Sequence, residues 1–155
     1  MLNPKTEIIV VADFFYPGYT GGAELTTHAL ASQAPENVRI TFIQSSKLNA
    51  FHLAMHINKL WIFTNIQNIN KGLLSYIARY LKYVIVEYDF KFCEFRSPDK
   101  HKHVTGKECD CRINDMDQFI MGAMFVFFMS EKQRNIFISR GLCPKSGVLG
   151  SVFSN

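Results

Sequence analysis

Short apolar runs alternate with amphipathic stretches along almost the whole chain. Ile8-Ile9-Val10-Val11-Ala12 is continuously apolar and rich in β-branched residues, the pattern of a strand covered on both faces. Val38–Gln44, Leu60–Thr64, Tyr83–Tyr88 and Phe125–Met129 read as further strands, and Gly147–Val152 closes the series. Between them, Ala23–Gln33 puts Leu25, Ala29 and Leu30 on one helical face and stops at Pro35. Leu48–Ile57 is a second predicted helix. Gly72–Tyr80 is a third, with Leu73, Leu74, Ile77 and Leu81 as its apolar stripe, and Asn114–Met121 is a fourth. Ser130-Glu131-Lys132-Gln133 matches a capping box, so a helix begins there. It ends at Arg140-Gly141, a glycine stop with Pro144 beyond. Residues 89–112 show no period.

This order of elements implies an α/β domain: a parallel sheet, helices on both faces in three layers, and right-handed crossovers. The predicted strand order is 3-2-1-4-5. It puts the loop after the first strand, the Tyr88-Asp89 end of the fourth and Ser130 along one edge. Ligands in such sheets bind outside the carboxyl ends of the strands. Residues 1–155 form a single domain in this reading.

Composition narrows the class. Hydrophobic content of 48% with 19% charged residues is globular, and 14 Phe make the core aromatic. The net charge of +4 is mild, and no block of five Lys or Arg occurs, so nucleic acid is not an expected partner. A weak peripheral attraction to anionic lipid headgroups, or to phosphorylated ligands, fits better. No apolar run reaches the ~20 residues of a membrane span, and Met1–Glu7 is too polar to open a secretory signal. Four Cys in such a chain read as reduced thiols or metal ligands before disulfides, and the expected compartment is cytoplasmic.

Gly21 and Gly22 lie between the first strand and the first helix, where backbone can approach a ligand closely and free helix N–H groups favour an anion. The pair serves equally well as a tight turn. It matches neither the Gly-x-Gly-x-x-Gly fingerprint nor a phosphate loop, since no Lys follows.

The wider string adds to this. Phe15-Tyr16-Pro17, then Gly21-Gly22-Ala23-Glu24 opening a helix, resembles the start of family 4 glycosyltransferases, which have the GT-B fold. Glu87-Tyr88-Asp89-Phe90 followed by Cys93 is similar to the His-Asp-aromatic-x-x-Cys segment many of them carry after the fourth strand. Phe128-Met129-Ser130-Glu131-Lys132-Gln133 is similar to their last strand and Ser-Glu helix start. Together the matches span residue 8 to about residue 150, nearly the whole chain.

The resemblance implies a Rossmann-like N-terminal domain, the acceptor-side half of a GT-B enzyme. A separate C-terminal domain would grip the nucleotide-sugar donor, and it is absent from these residues. Transfer would retain configuration, need no metal or other cofactor, and deliver a sugar to a glycan or lipid-linked acceptor. Gly21 and Gly22 would offer N–H groups toward the donor. Glu24 would cap the first turn of the helix, where simple compensation of the helix dipole explains it equally well. Asp89 would orient an acceptor hydroxyl, although a loop-start Asp often just bonds nearby backbone. Tyr88 stands where many relatives have His; a phenol donates a hydrogen bond but stabilises a cationic sugar poorly. The alternatives are a glycan-binding domain or subunit of a two-chain transferase, and an unrelated flavodoxin-like or nucleotide-binding module.

Residues 89–112 carry Cys93, His101, His103, Cys109 and Cys111. Side chains two apart in an extended segment point the same way, so His-x-His and Cys-x-Cys allow a zinc site, but most structural sites use Cys-x2–4-Cys. The expectation is therefore free thiols and no tightly bound metal, with structural zinc as the alternative. Long loops of this kind are usually functional or disordered. Here Phe90, Phe92 and Phe95 are expected to pack the loop's base, and Arg96, Lys100 and Lys102 to face a polar or phosphorylated acceptor.

Overall fold

The computed structural model describes residues 5–113 and 115–150. Six strands, β1 (Thr6–Ala12), β2 (Val38–Gln44), β3 (Leu60–Phe63), β4 (Lys82–Glu87), β5 (Phe125–Phe128) and β6 (Ser146–Val148), form one sheet. Every pairing in it is parallel. The helices are α1 (Gly22–Ser32), α2 (Ala50–Met55), α3 (Leu74–Tyr80), α4 (Pro98–Thr105), α5 (Met116–Gly122) and α6 (Glu131–Ser139). The α/β, Rossmann-like architecture expected from the alternation is the one observed. Of the predicted helix Asn114–Met121, Asn114 lies outside the described residues, as does the end of the predicted strand Gly147–Val152 from residue 151 on.

The strand order is 2-1-3-4-5-6, not 3-2-1-4-5. β3 sits at the centre and β2 at the edge. Periodicity says which residues face the core, not which strand lies beside which. The burden carried by each strand does distinguish them: β3 is Leu-Trp-Ile-Phe, with Trp61 and Phe63 fully buried, whereas β2 exposes Arg39 and Phe42, as an edge strand can.

Register places Ile9, Trp61 and Tyr83 in one row across the sheet, and Val11, Phe63, Ile85 and Val126 in the next. These residues, with Ile43 and Phe128, face α2, α3, α5 and α6 and form the core with Leu53, Leu74, Ile77, Phe119 and Phe137. Phe63 meets Tyr83 and Phe119 edge-on, at centroid distances of 5.7 and 5.3 Å, the geometry that aromatic quadrupoles favour. The Tyr83 hydroxyl is satisfied by the Phe119 carbonyl at 2.6 Å. Gly122 allows this close approach, since a Cβ there would strike the Tyr83 hydroxyl and Ala78. The opposite face of the sheet, from Ile8, Val10 and Ile40 across to Ile62, Val84 and Phe127, is met by α1 through Thr27, Leu30 and Ala31, which leaves an apolar groove of about 310 Å3. A single reversal of direction, after β2, combined with right-handed crossovers puts α1 on its own face and the later helices on the other.

The stretch with no readable period contains a helix. Ser97 caps α4 by accepting from the Lys100 N–H at 3.2 Å, Pro98 occupies the first turn, and Gly106, at φ 71°, ends it. Its sequence, Pro-Asp-Lys-His-Lys-His-Val-Thr, has no apolar stripe, which is why hydrophobic patterning misses it.

Candidate functional site

Three motif segments meet at the carboxyl edge of the sheet. The Gly21-Gly22 loop leaves β1, Tyr88-Asp89 leaves β4, and Ser130 begins α6 after β5. Side chains tie them together. The Thr27 hydroxyl on α1 and the Tyr88 hydroxyl share a hydrogen bond of 3.0 Å. Gln133 on α6 donates through Nε2 to the backbone carbonyls of Glu87 and Asp89, at 3.1 and 2.7 Å, and accepts from the Met129 N–H at 2.8 Å. Ser130 accepts from the Gln133 N–H at 3.1 Å, the N-cap half of the capping box read from sequence, while the Gln133 side chain takes the Met129 N–H in place of that of Ser130. Gln133 thereby does more than cap: it fixes the end of β4.

The glycine loop is open. Gly22 has nothing within 4 Å of the position a Cβ would take. Gly21 is crowded instead, because a Cβ there would run into the Glu24 carboxylate and the Tyr19 ring. Glu24 is buried in the first turn of α1, its carboxylate folded back over Gly21. Gly21 itself has extended backbone at φ −74°, so space rather than chirality selects glycine here. Phe14, Tyr16 and Tyr19 flank the pair and are 45%, 40% and 54% exposed, unusual for large aromatics. Burial raises the Tyr88 phenol above its ordinary value and the nearby Glu24 charge adds to this, while the bond to Thr27 opposes both. Tyr88 therefore stays a neutral hydroxyl through the physiological range.

The other half of the edge is ionic. Arg96 reaches back from the loop after β4 with a positive φ of 57°. Its Nη2 pairs with Asp89 and donates to Asn65 Oδ1 at 3.0 Å; its Nη1 donates to Gln67 Oε1 at 2.8 Å and lies 3.8 Å from Asp13. Both terminal nitrogens are thus engaged, and Arg96 acts as a clasp between the loops after β1, β3 and β4. Asp13, buried at the end of β1, also accepts from Ser45 and from the N–H groups of Gln67 and Asn68 at 2.9 and 3.0 Å. Glu87, fully buried, accepts from Lys91 Nζ at 2.9 Å. Its carboxyl is pushed up to about 7, first by burial and further by Asp89, with Lys91 pulling the other way. Among the described residues Glu87 Oε2 and Asp89 Oδ1 have no hydrogen-bond partner.

Two clefts flank the β4 loop. One, of about 430 Å3, is lined by Gln67, Lys71, Lys91, Cys93, Glu94, Arg96, Cys111 and Arg112 among others. Lys91, Arg96 and Arg112 are each paired with a carboxylate, Glu87, Asp89 and Asp117, so that among the described residues Lys71 is the lining cation without an ion pair. Burial lowers the Lys71 amine, Asp13 opposes this, and Arg96 and Lys91 add to the lowering. The other cleft, of about 280 Å3, holds Tyr88, Ser130, Lys132 and Gln133.

Of the residues expected to face an acceptor, Arg96 lines the first cleft. Lys100 and Lys102 do not: both are exposed on α4, and Lys102 pairs with Glu108. Phe92 is buried, and Phe90 and Phe95 pack against the core, as the base of the loop requires. Sequence reading missed Asp13, Asn65, Gln67, Lys71 and Lys91. Asp13, the first polar residue after an apolar strand, carried the one available signal; the others come from loops that only the fold brings near.

Comparison with known protein families, curated proteins and solved structures finds no match. The fold and the site therefore stand on their own geometry. Cys93, His101, Cys109 and Cys111 come together beside the basic cleft, and His103 stays outside, exposed. Among the described residues no helix is long and apolar enough to cross a membrane.

Proposed function

We propose that this domain is the acceptor-binding half of a retaining GT-B glycosyltransferase, passing a sugar from a nucleotide-sugar to a glycan or lipid-linked acceptor. The observation that carries the reading is the joining of its three motif segments by side chains far apart in sequence, Thr27 to Tyr88 and Gln133 to Asp89. Loops after the strands of any parallel sheet share that edge; it is the cross-bonds among these three that support the reading. The exposed aromatics beside Gly22 suit the apolar faces of sugars, and the open backbone there lets a donor phosphate approach the start of α1.

In this reading Asp89, held by Arg96 and one-quarter exposed, orients the acceptor hydroxyl. Tyr88 donates a hydrogen bond to the sugar. Gly21 and Gly22 give the donor room, and Glu24 shapes the turn. A donor-binding partner domain supplies the charge that neutralises the leaving diphosphate. The setting is cytoplasmic, with peripheral contact to anionic headgroups when the acceptor is lipid-linked.

A second reading has its own support. Strand order 2-1-3-4-5 is that of flavodoxin-like sheets, whose ligands sit where β1 and β3 diverge; here Asp13 and Asn65 meet at that place. Calorimetry with UDP- and GDP-sugars separates the two. The acceptor half gives little heat at micromolar ligand and no sugar transfer on its own. Tight nucleotide binding overturns it in favour of a nucleotide-binding module.

A further inference from the structure

The loop after β4 gathers four soft ligands. Cys93, His101, Cys109 and Cys111 each present one ligand atom, and these atoms all lie within 4.8 Å of one another. Cys93 comes from the turn following β4, His101 from α4, and Cys109 and Cys111 from the extended return after Gly106. Ligands in a tetrahedral Cys3His site around zinc are separated by roughly 3.5–3.8 Å, given Zn–S near 2.3 Å and Zn–N near 2.0–2.1 Å. Cys111 Sγ and His101 Nδ1 are 3.3 Å apart, and the widest pair needs to close by only about 1 Å.

The surroundings are those of a bound ion rather than of idle thiols. Cys93 is 1% exposed and His101 7%. The Glu94 N–H points at Cys111 Sγ from 3.4 Å, with the sulfur as acceptor. Arg140 donates to the carbonyls of Cys109 and Cys111, at 2.8 Å each, and its guanidinium lies 4.1 Å from the centre of the Phe92 ring. That cation would offset the net negative charge of a divalent ion held by three cysteine sulfurs. Phe95 meets the His101 ring edge-on at 5.3 Å and holds its orientation.

The helix itself makes the strongest case. Across its eight residues α4 buries only His101, and Val104, its one large apolar side chain, is 57% exposed. Helices this short do not persist in water without tertiary anchoring. No apolar stripe anchors it, and His101, packed on Phe95 beside three sulfurs, is its one buried side chain.

We propose that Cys93, His101, Cys109 and Cys111 form a closed, structural zinc site that staples the loop after β4 and sets Arg96 against Asp89. Four protein ligands leave no position for a substrate, and the thiolate-rich set selects zinc over oxygen-preferring cations. The site does not depend on the glycosyltransferase reading.

Metal analysis of the chain, produced in zinc-supplemented medium and purified without chelator, tests this. About one zinc per chain is expected. His101→Ala and the double change Cys109→Ser with Cys111→Ser should lose it, whereas His103→Ala should keep it. Cobalt exchanged into the wild-type chain should give the intense thiolate-to-metal absorption of a tetrahedral sulfur-rich site. Removing the metal should expose residues 93–111 to protease. If the ligand variants fail to fold, the zinc content and cobalt spectrum of the wild type still decide. A folded wild type with less than about a tenth of a metal per chain and no cobalt spectrum overturns the proposal. So does a disulfide between any two of the three cysteines in peptides mapped without reductant.

Discussion

The loops after β1 and β4 leave the same edge of the same sheet and are built on opposite plans. The first is short and spends few side chains on itself: Phe14, Tyr16 and Tyr19 face water, Gly22 has empty space beside it, and its own backbone closes with a bond from the Tyr19 N–H to the Phe15 carbonyl at 3.1 Å. The second turns its chemistry inward. Phe92 and Cys93 are buried, Arg96 is bonded from both terminal nitrogens, and a helix and four ligand atoms fold over it. An open loop can receive a ligand as it stands. A loop that holds charged groups at set positions is cross-linked internally in addition to the anchoring of Phe90, Phe92 and Phe95 on the core.

The contrast is broken most easily at Arg96. Arg96→Ala leaves Asp89 and buried Asp13 without their cation, and should cost about 2 kcal/mol, discounted for the partial exposure of the pair. Arg96→Lys should recover little, since one ammonium cannot reach four acceptors on three loops. Urea denaturation measures both. A loss below a few tenths of a kcal/mol for Arg96→Ala would show that the clasp holds nothing.

Glu87 sharpens the comparison through pH. Its carboxyl is raised from 4.5 to about 7, so between those values the folded chain holds a proton that the unfolded chain has released. Its contribution to stability is therefore full below pH 4.5 and is lost as pH rises to about 7. At its steepest the fall approaches ~1.4 kcal/mol per pH unit. Glu87→Gln, which cannot titrate, should flatten the profile over this window. Equal slopes in variant and wild type would place the titration elsewhere.

The smallest effects belong to the glycine loop. Gly21→Ala drives a methyl into the Glu24 carboxylate and should destabilise by about 1 kcal/mol. Gly22→Ala enters open space in the first turn of α1 and should be neutral or slightly stabilising, within about 0.5 kcal/mol. Thermal melts of the two variants check this. A reversal of their order would mean that the loop is packed more tightly than the space beside Gly22 indicates.

Sequence alone was enough for the class of fold, because strands buried on both faces must be continuously apolar and the alternation with helices leaves a parallel sheet as the economical solution. It was enough also for the helix start at Ser130, whose cap to the Gln133 N–H acts within one turn of chain. It was not enough for strand order, since neighbours in a sheet are chosen by crossovers that periodicity does not encode; the exposed Arg39 and the all-apolar β3 were the only traces of it. The Cys and His loop divides the same way. Its residue types allowed a zinc site while their spacing favoured free thiols, and an extended segment would have turned His101 and His103 to one side together. The chain forms α4 there instead, where successive residues turn by about 100°, and two positions apart lie on nearly opposite faces. His101 is thereby buried beside three sulfurs and His103 is left in water. Tertiary structure decided which histidine counts, because a helix with no apolar stripe takes its position from what its polar side chains can bind.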